Sequence, residues 1–442
     1  MIIQPGSATS PTRARLIVLL WICGLTAILY LDRICMAQAL VPIQKELGLS
    51  NTQISFVLMA FTLAYGIFEI PTGHWGDHIG ARKVLTRIVL WWSVFTGLTG
   101  ACPGFASLVV ARFMFGAGEA GAFPNIARIL NQWFPKEERG RVQGFILASA
   151  QIGAVLAPAA TAHLIEVIGW RWAFPLFGLI GLFWAAGFWL WFRDLPGHHS
   201  GVNQEELAII QGVGVVEPAA PPPVPWKKVF SNRGILALAA MMILGAFYTY
   251  FFYSWFPKYL QAARGADNLK AGFLASIVLG GSAFGMLAGG WLGDRITRRF
   301  HDPVTPRRHL GLGCYLAAAL FFFLGTRCND IHALTFFWAL SFCSMHITLP
   351  NWWLLALPQC GKNLGALAGL LNGAGVIGAL ASQGFVGAFT DARAAAGYSL
   401  SEQWEPMFLV YSGVLVLGGI AWWSYRFIPI DEEQRESNEE AR

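Results

Sequence analysis

The sequence predicts an all-α polytopic membrane protein with twelve transmembrane helices, arranged as two six-helix, pseudo-symmetric bundles. Three observations predict it. The chain is 55% hydrophobic and only 13% charged, with 19 Trp and 33 Phe in 442 residues, and its mean hydropathy is +0.51. A soluble chain of this length needs more charged surface than that. It also carries about a dozen apolar runs of roughly 20 residues, the length that crosses a hydrocarbon core of ~30 Å. Finally, a motif repeats. Gly73-His-Trp-Gly-Asp77-His-Ile-Gly80-Ala-Arg82-Lys83 follows the second run, and Gly290-Trp-Leu-Gly-Asp294-Arg295-Ile-Thr-Arg298-Arg299 follows the eighth. Parallel six-span repeats are a known way to build such a bundle pair.

The elements follow in order. Residues 1–14 form a polar, proline-containing tail. No small-residue cleavage site closes the first apolar run, which therefore reads as a permanent span and not a removed signal peptide. The first bundle, 15–193, holds spans at 15–43, 51–74, 82–102, 105–133, 137–166 and 169–193. Residues 194–231 are the longest polar interval. Asn203 to Gln211 has the pattern of a short amphipathic helix at the membrane surface. Pro218, Pro221, Pro222, Pro223 and Pro225 make the second half of the interval a stiff, extended linker. The second bundle, 232–428, holds spans at 232–261, 267–292, 307–326, 331–357, 361–391 and 402–428. Residues 429–442 form an acidic tail with the composition of a disordered segment.

Lys and Arg placement sets the orientation. With both termini cytoplasmic, about 21 of the 31 basic residues fall inside and about 7 outside, and Arg33, Arg112 and Arg128 lie within spans. That scatter also explains the +6 net charge better than nucleic-acid binding does. The seven cysteines lie mostly in or beside apolar segments and form no Cys-x-x-Cys pair, so neither a metal site nor a disulfide framework is indicated. No nucleophile motif or cofactor loop is present, and the chain is read as a non-enzyme needing no cofactor. A membrane sensor would call for an appended signalling domain, and neither terminus nor residues 194–231 is large enough to hold one.

Four ionisable residues stand out inside apolar spans. Arg112 and Glu119 are seven apart, two helical turns, and project from roughly one face. Gly116, Ala117, Gly118, Ala120, Gly121 and Ala122 lie between and after them, letting another helix approach closely. Asp32 and Arg33 form a second cation–carboxylate set. Such groups face a bundle interior or a water-filled path, because burial in lipid is costly. An Arg offers bidentate bonds to a carboxylate substrate and stays charged throughout. A carboxylate that takes up a proton can let go of its arginine. A purely structural salt bridge is the alternative for each set.

At these residues the chain resembles the major facilitator superfamily and, within it, the anion:cation symporters that carry sugar acids and other organic anions. Four features carry the resemblance: the loop from Gly73 to Lys83, Tyr30-Leu-Asp32-Arg33, the Arg112…Glu119-Ala-Gly-Ala-Phe-Pro124 stretch, and Trp133-Phe-Pro135-Lys-Glu-Glu-Arg139. The resemblance implies that Asp32 and Glu119 are proton-coupling carboxylates, and that Arg33 and Arg112 are cations near the substrate carboxylate. It places Tyr30, Tyr65, Gln151 and Asn372 at positions that bind sugar-acid hydroxyls, with helix packing as the bland alternative. Tyr250 and Tyr253 in span seven are further lining candidates, although aromatics also populate interfacial belts. His346 and Asn351 in span ten are weaker ones, since an intramembrane His more often bonds one helix to the next. The family commonly has Gln where this chain has Glu69. Glu69 shares a face with Tyr65 and is either a third titrating group or the partner of a loop cation. Asp77, Arg82, Asp294 and Arg295 read as a cytoplasmic gate.

The expected function is proton-coupled import of an organic anion, a hexonate, hexuronate or aldarate foremost, by alternating access. The expected partners are that small molecule, protons and the lipid bilayer, with no nucleic acid. The protein is expected to work as a monomer in a bacterial cytoplasmic membrane. Export on the same fold, and sodium-coupled or uncoupled carriage of another carboxylate or an inorganic anion, are the alternatives within transport.

Overall fold

The computed structural model describes residues 10–211, 224–300, 302 and 304–430, excepting the side chains of 70, 73–78, 211, 362, 364 and 365. Every regular element among these residues is helical: sixteen α-helices and two short 3-10 turns. The first set is α1 (Ala14–Leu47), α2 (Asn51–Ile79), α3 (Ala81–Thr99), α4 (Phe105–Glu119), α5 (Ala122–Trp133) and α6 (Lys136–Trp191). Two short helices, α7 (Gln204–Gln211) and α8 (Trp226–Ser231), lead to the second set. This comprises α9 (Arg233–Ser254), α10 (Phe256–Ala262), α11 (Asn268–Thr297), α12 (Val304–Thr326), α13 (Ile331–His346), α14 (Thr348–Cys360), α15 (Leu364–Ala395) and α16 (Met407–Ser424).

By length and composition alone, nine helical stretches among the described residues can cross a membrane. The twelve-span architecture reconciles with nine through the breaks. α6 is two spans in one, turned at Gly169, where φ is 74°. α3 forms the third crossing, and α4 with α5 the fourth. That fourth crossing is not the continuous helix the sequence suggests, because it breaks directly after Glu119. Ala120 leaves the helix and Gly121 takes a left-handed φ of 84°. A Cβ at Gly121 would lie 2.3 Å from Thr72 Oγ1, so both the turn and the approach of α2 require glycine.

Packing repeats between the sets. In the first, α1 packs on α6 before its break, α2 on α4, and α3 on α6 after the break; in the second, α9 packs on α15, α11 on α13, and α12 on α16. The sets meet along two seams, α6 with α11 and α2 with α15. The α2–α15 seam is an antiparallel zipper. Running from the far end, opposite the chain termini, Asp391 meets Asn51 and Thr52, Ser55 packs at Gly387 and Thr62 bonds Gln383. Val376 then packs against Gly66, and Asn372 bonds Glu69.

The segment expected to lie on the membrane surface is helical, yet it docks on the protein. Glu206 of α7 is fully buried. It accepts from the Arg13 backbone N–H at 2.9 Å and pairs with Arg15 at 3.2 Å. Arg15 also bonds Glu138 in the first turn of α6. Asn203 caps this helix through the Glu206 N–H at 3.0 Å. The proline-rich stretch from 218 to 223 and the tail from 431 lie outside the described residues.

Candidate functional site

The deepest charged groups come from α1 and α4. Arg33 donates through Nε to Glu119 Oε1 at 2.9 Å, and one terminal nitrogen reaches the same oxygen. Glu119 is the last residue of α4, where the helix dipole is negative, so a cation is the partner it requires there. The second pair is looser. Asp32 lies beside the Trp92 indole and near Arg112, with no ion pair formed between them, and Cys35 lies beside Arg112.

Exposure separates the two arginines. The Arg33 side chain is 12% exposed and that of Glu119 is 0%; Asp32 and Arg112 are buried. Arg33 is therefore the cation of this cluster that reaches open space. Aromatic faces hold it in place, with its guanidinium carbon 4.7 Å from the Tyr65 centroid, 5.2 Å from Tyr30 and 5.3 Å from Phe61. Arg112 lies over the same Phe61 at 5.0 Å and over Phe115 at 4.4 Å. Phe61 thus contacts both cations, its face attracting each in turn. Sequence reasoning passed over this residue. Its signal is the spacing 61, 65, 69, which places Phe61, Tyr65 and Glu69 on one stripe of α2.

That stripe and the α2–α15 seam supply the contacts of Glu69. Tyr65 donates its hydroxyl to Glu69 Oε1 at 3.3 Å. Asn372 donates its amide to Oε1 at 3.0 Å and to Oε2 at 2.8 Å. Glu69 therefore joins the site through Tyr65, and across the seam through Asn372, rather than through a loop cation. From α9, Tyr250 and Tyr253 lie near Tyr30 and Arg33, their rings 6.0 Å apart.

The remaining candidates make contacts of their own. Gln151 lies in the α6–α11 seam, accepting from Ser282 Oγ at 3.1 Å and approaching Met286 Sδ at 3.8 Å. His346 bonds the Phe342 carbonyl at 2.8 Å and packs beside Gly285. Asn351 donates to the Gly289 carbonyl at 3.0 Å. These two join α13 and α14 to α11, the helix-to-helix role weighed for such residues, and the structure does not bring them to the arginines. Of the gate residues, Arg82 is tied within its own set. Its backbone N–H bonds Asp194 at 2.9 Å, and its guanidinium stacks 4.2 Å over Trp189. Asp294 is exposed and faces Arg307; Arg295 lies over Trp291 at 5.4 Å. The Asp77 side chain lies outside those described.

The far end of the bundle is bonded shut between the sets. Asp391 accepts from the Asn51 N–H at 3.0 Å and the Thr52 N–H at 2.7 Å, the first backbone donors of α2. Lys258 of α10, itself buried, donates to the Asn51 side chain. Gln38 donates to the Asn268 carbonyl at 2.9 Å, and Asn268 to the Ala162 carbonyl at 2.9 Å. Among the described residues, hydrogen bonds between the sets continue from there to Glu69–Asn372.

Residues 22–383 match the sequence model of the Major Facilitator Superfamily. The chain is 32% identical over 373 residues to the probable sulfoacetate transporter SauU of Cupriavidus necator, covering 83% of this chain and 85% of that protein. It is 28% identical to the D-galactonate transporter of Escherichia coli, over 95% of this chain and 97% of that one. Among solved structures, a bacterial homologue of the human lysosomal transporter Spinster, inward-facing and unoccupied, superposes with a TM-score of 0.75. The identity is 18%, over 95% of this chain and 98% of that one. A D-xylose–proton symporter gives 0.72 at 14% identity, over 93% and 98%. At these identities the structural likeness is one of fold.

Proposed function

Because the chain belongs to the Major Facilitator Superfamily, a family of membrane transporters, we propose that it imports a small organic anion, a sugar acid foremost, together with protons. The observation that carries the reading is the Arg33–Glu119 pair: an arginine open to the space between the helix sets, held by a carboxylate that is wholly buried. A cation so placed can exchange one carboxylate partner for another. While Glu119 is ionised it occupies Arg33. Once it takes up a proton it becomes a weak, neutral partner, and the guanidinium can offer its fork to a substrate carboxylate. The relatives named for sulfoacetate and galactonate support an anion as cargo.

Asp32 and Arg112 form the inner layer of the same device. Protonation of Asp32 leaves Arg112 as a second uncompensated cation behind Phe61, which raises the positive potential at Arg33 without touching the substrate. Both termini face the cytoplasm of a bacterial cell on this reading, as the distribution of Lys and Arg suggests. The far-end bonds then close the outer side, and the site opens inward. The two helix sets rock about the seams to present it outward, with Asp77, Arg82, Asp294 and Arg295 shaping the inner gate. If more protons than negative charges enter per cycle, the membrane potential adds about 2.3 kcal/mol per net charge per 100 mV.

The test is uptake of labelled galactonate into proteoliposomes with an imposed, acid-outside pH gradient and no sodium. Accumulation that collapses with a protonophore is the expected result. Accumulation indifferent to the gradient but dependent on sodium would replace the proton with sodium, and uptake that only equilibrates would leave an uncoupled carrier.

A further inference from the structure

Glu69 is a third carboxylate beside two arginines, and this inventory constrains the cargo. With Asp32, Glu119 and Glu69 all ionised, the three carboxylates outnumber Arg33 and Arg112. Protonating Asp32 and Glu119 leaves the site at one net positive charge, two arginines against Glu69. One negative charge on the substrate then balances it, and a second does not. The donors at Glu69 are of the kind that stabilise its ionised form. Both oxygens accept, each from the same Asn372 amide nitrogen, at 3.0 and 2.8 Å, and Oε1 accepts a third bond from Tyr65.

Position matters as much as charge. The Tyr65 ring lies under the Arg33 guanidinium, 4.7 Å from its centroid, and the hydroxyl of that ring points at Glu69. Arg33 and Glu69 therefore stand at the two ends of one tyrosine side chain, a separation that a six-carbon chain can bridge. A substrate whose carboxylate is held by Arg33 brings its other end to a pure acceptor, Glu69, and to the amide of Asn372. Hydroxyls satisfy those groups, whereas a terminal carboxylate meets a like charge.

We infer that Glu69 is a charge filter: it admits monoanions with a hydroxylated tail, of the aldonate class, and rejects dianions of the aldarate class. The inference rests on the organic-anion reading given above. At an effective dielectric constant of about 20, a like charge about 6 Å away disfavours binding by about 100-fold.

The experiment is substrate counterflow in proteoliposomes without a pH gradient, which separates selectivity from proton coupling. Galactonate and galactarate compete for the wild-type protein and for Glu69→Gln, which keeps the bond to Asn372. Adipamate and adipate form a second six-carbon monoanion–dianion pair without sugar hydroxyls. The expected wild-type preference for the monoanion is about 100-fold, falling to a few-fold in Glu69→Gln through a gain for the dianion. An unchanged ratio in Glu69→Gln, or a wild-type preference for the dianion, overturns the filter. If neither sugar acid exchanges, the sugar-acid reading fails by itself, and the filter is judged on the second pair. If neither pair exchanges in the wild type, the filter falls with the organic-anion reading.

Discussion

Replacing Glu119 with Gln tests the central pair with little change of shape. The Gln amide oxygen can take the place of Glu119 Oε1 and accept the Arg33 Nε–H that now spans 2.9 Å. What disappears is charge. Two unit charges about 4 Å apart attract by about 4 kcal/mol at an effective dielectric constant near 20. That attraction is what a substrate carboxylate must displace from Arg33 in the wild-type protein. Desolvation of the buried partner offsets part of it, so the variant should hold its anion at least tenfold, and at most about a thousandfold, more tightly. The energetic consequence for transport has the opposite sign. Each coupled proton contributes 1.36 kcal/mol, a tenfold accumulation, per pH unit of gradient, and a Gln cannot carry one. Paired assays read both effects in proteoliposomes: counterflow exchange with no gradient, and net uptake with one pH unit imposed. Glu119→Gln should exchange, with a lower half-saturating concentration, while its accumulation ratio falls about tenfold. Accumulation equal to that of the wild type would refute the assignment of a proton to Glu119. Lost exchange in a folded variant would show that the carboxylate itself, and not its release of Arg33, is needed to bind.

Three further outcomes follow from other parts of the structure. Asp391→Asn weakens the charge-assisted bonds to the Asn51 and Thr52 N–H groups, a loss of about 1–3 kcal/mol. It should shift the population toward far-end opening by about fivefold or more, seen as longer distances between spin labels at the far ends of α3 and α15. Gly153→Val should destabilise the protein by about 1–3 kcal/mol, because a Cβ there would lie 2.2 Å from the Ala27 carbonyl oxygen; Gly144→Ala on the same helix meets nothing within 4 Å and should leave the melting temperature unchanged. His199, in the segment between the sets, packs edge-on to Trp133, and burial holds its imidazole below the ordinary His range. The unfolded chain then takes up the proton first as pH falls through about 6.5, so this contribution to stability is lost on acidification. His199→Phe should flatten the dependence of melting temperature on pH between 7 and 5, and an unaltered slope would assign the effect elsewhere.

Much of this arrangement was legible because membrane burial makes charge conspicuous. Asp32, Arg33, Arg112 and Glu119 could be singled out from the sequence because so few charged residues interrupt the apolar spans. The two-turn spacing of Arg112 and Glu119 was enough to put both on the face turned toward α1. What could not be read was order within the cluster. Sequence gives the two arginines equal standing, and only packing shows that Phe61 stands between them and that Arg33 alone reaches open space. The break after Glu119 was hidden for a related reason. A run of Gly and Ala suits close helix packing and a left-handed turn equally well, and the contact with Thr72 on α2 decides between them. The burial of Glu206 was likewise out of reach of the sequence. A charged residue on a short amphipathic helix looks solvated until its partners, Arg13 and Arg15, are seen to come from 191 or more positions away.

The placement of Glu69 ties substrate recognition to the movement of the halves. Everything that handles the charged end, Arg33, Glu119, Arg112 and Asp32, belongs to α1 and α4, within one helix set. Binding a carboxylate there does not touch the α2–α15 hydrogen bonds, although Tyr250 and Tyr253 of the other set stand near Arg33. Glu69 differs because it forms a hydrogen-bonded rung of the α2–α15 zipper, and the amide it holds belongs to the other set. A substrate tail that bonds Glu69 or Asn372 competes with that rung directly, so tail recognition can loosen or brace the seam while charge recognition cannot. An anion too short to reach from Arg33 past Tyr65 should therefore bind without driving the conformational cycle, acting as an inhibitor. A full-length sugar acid should be transported. Comparing acetate with galactonate in the same counterflow assay separates the two: inhibition without exchange by acetate is expected, and equal turnover of both would show that the tail contact plays no part in coupling the halves.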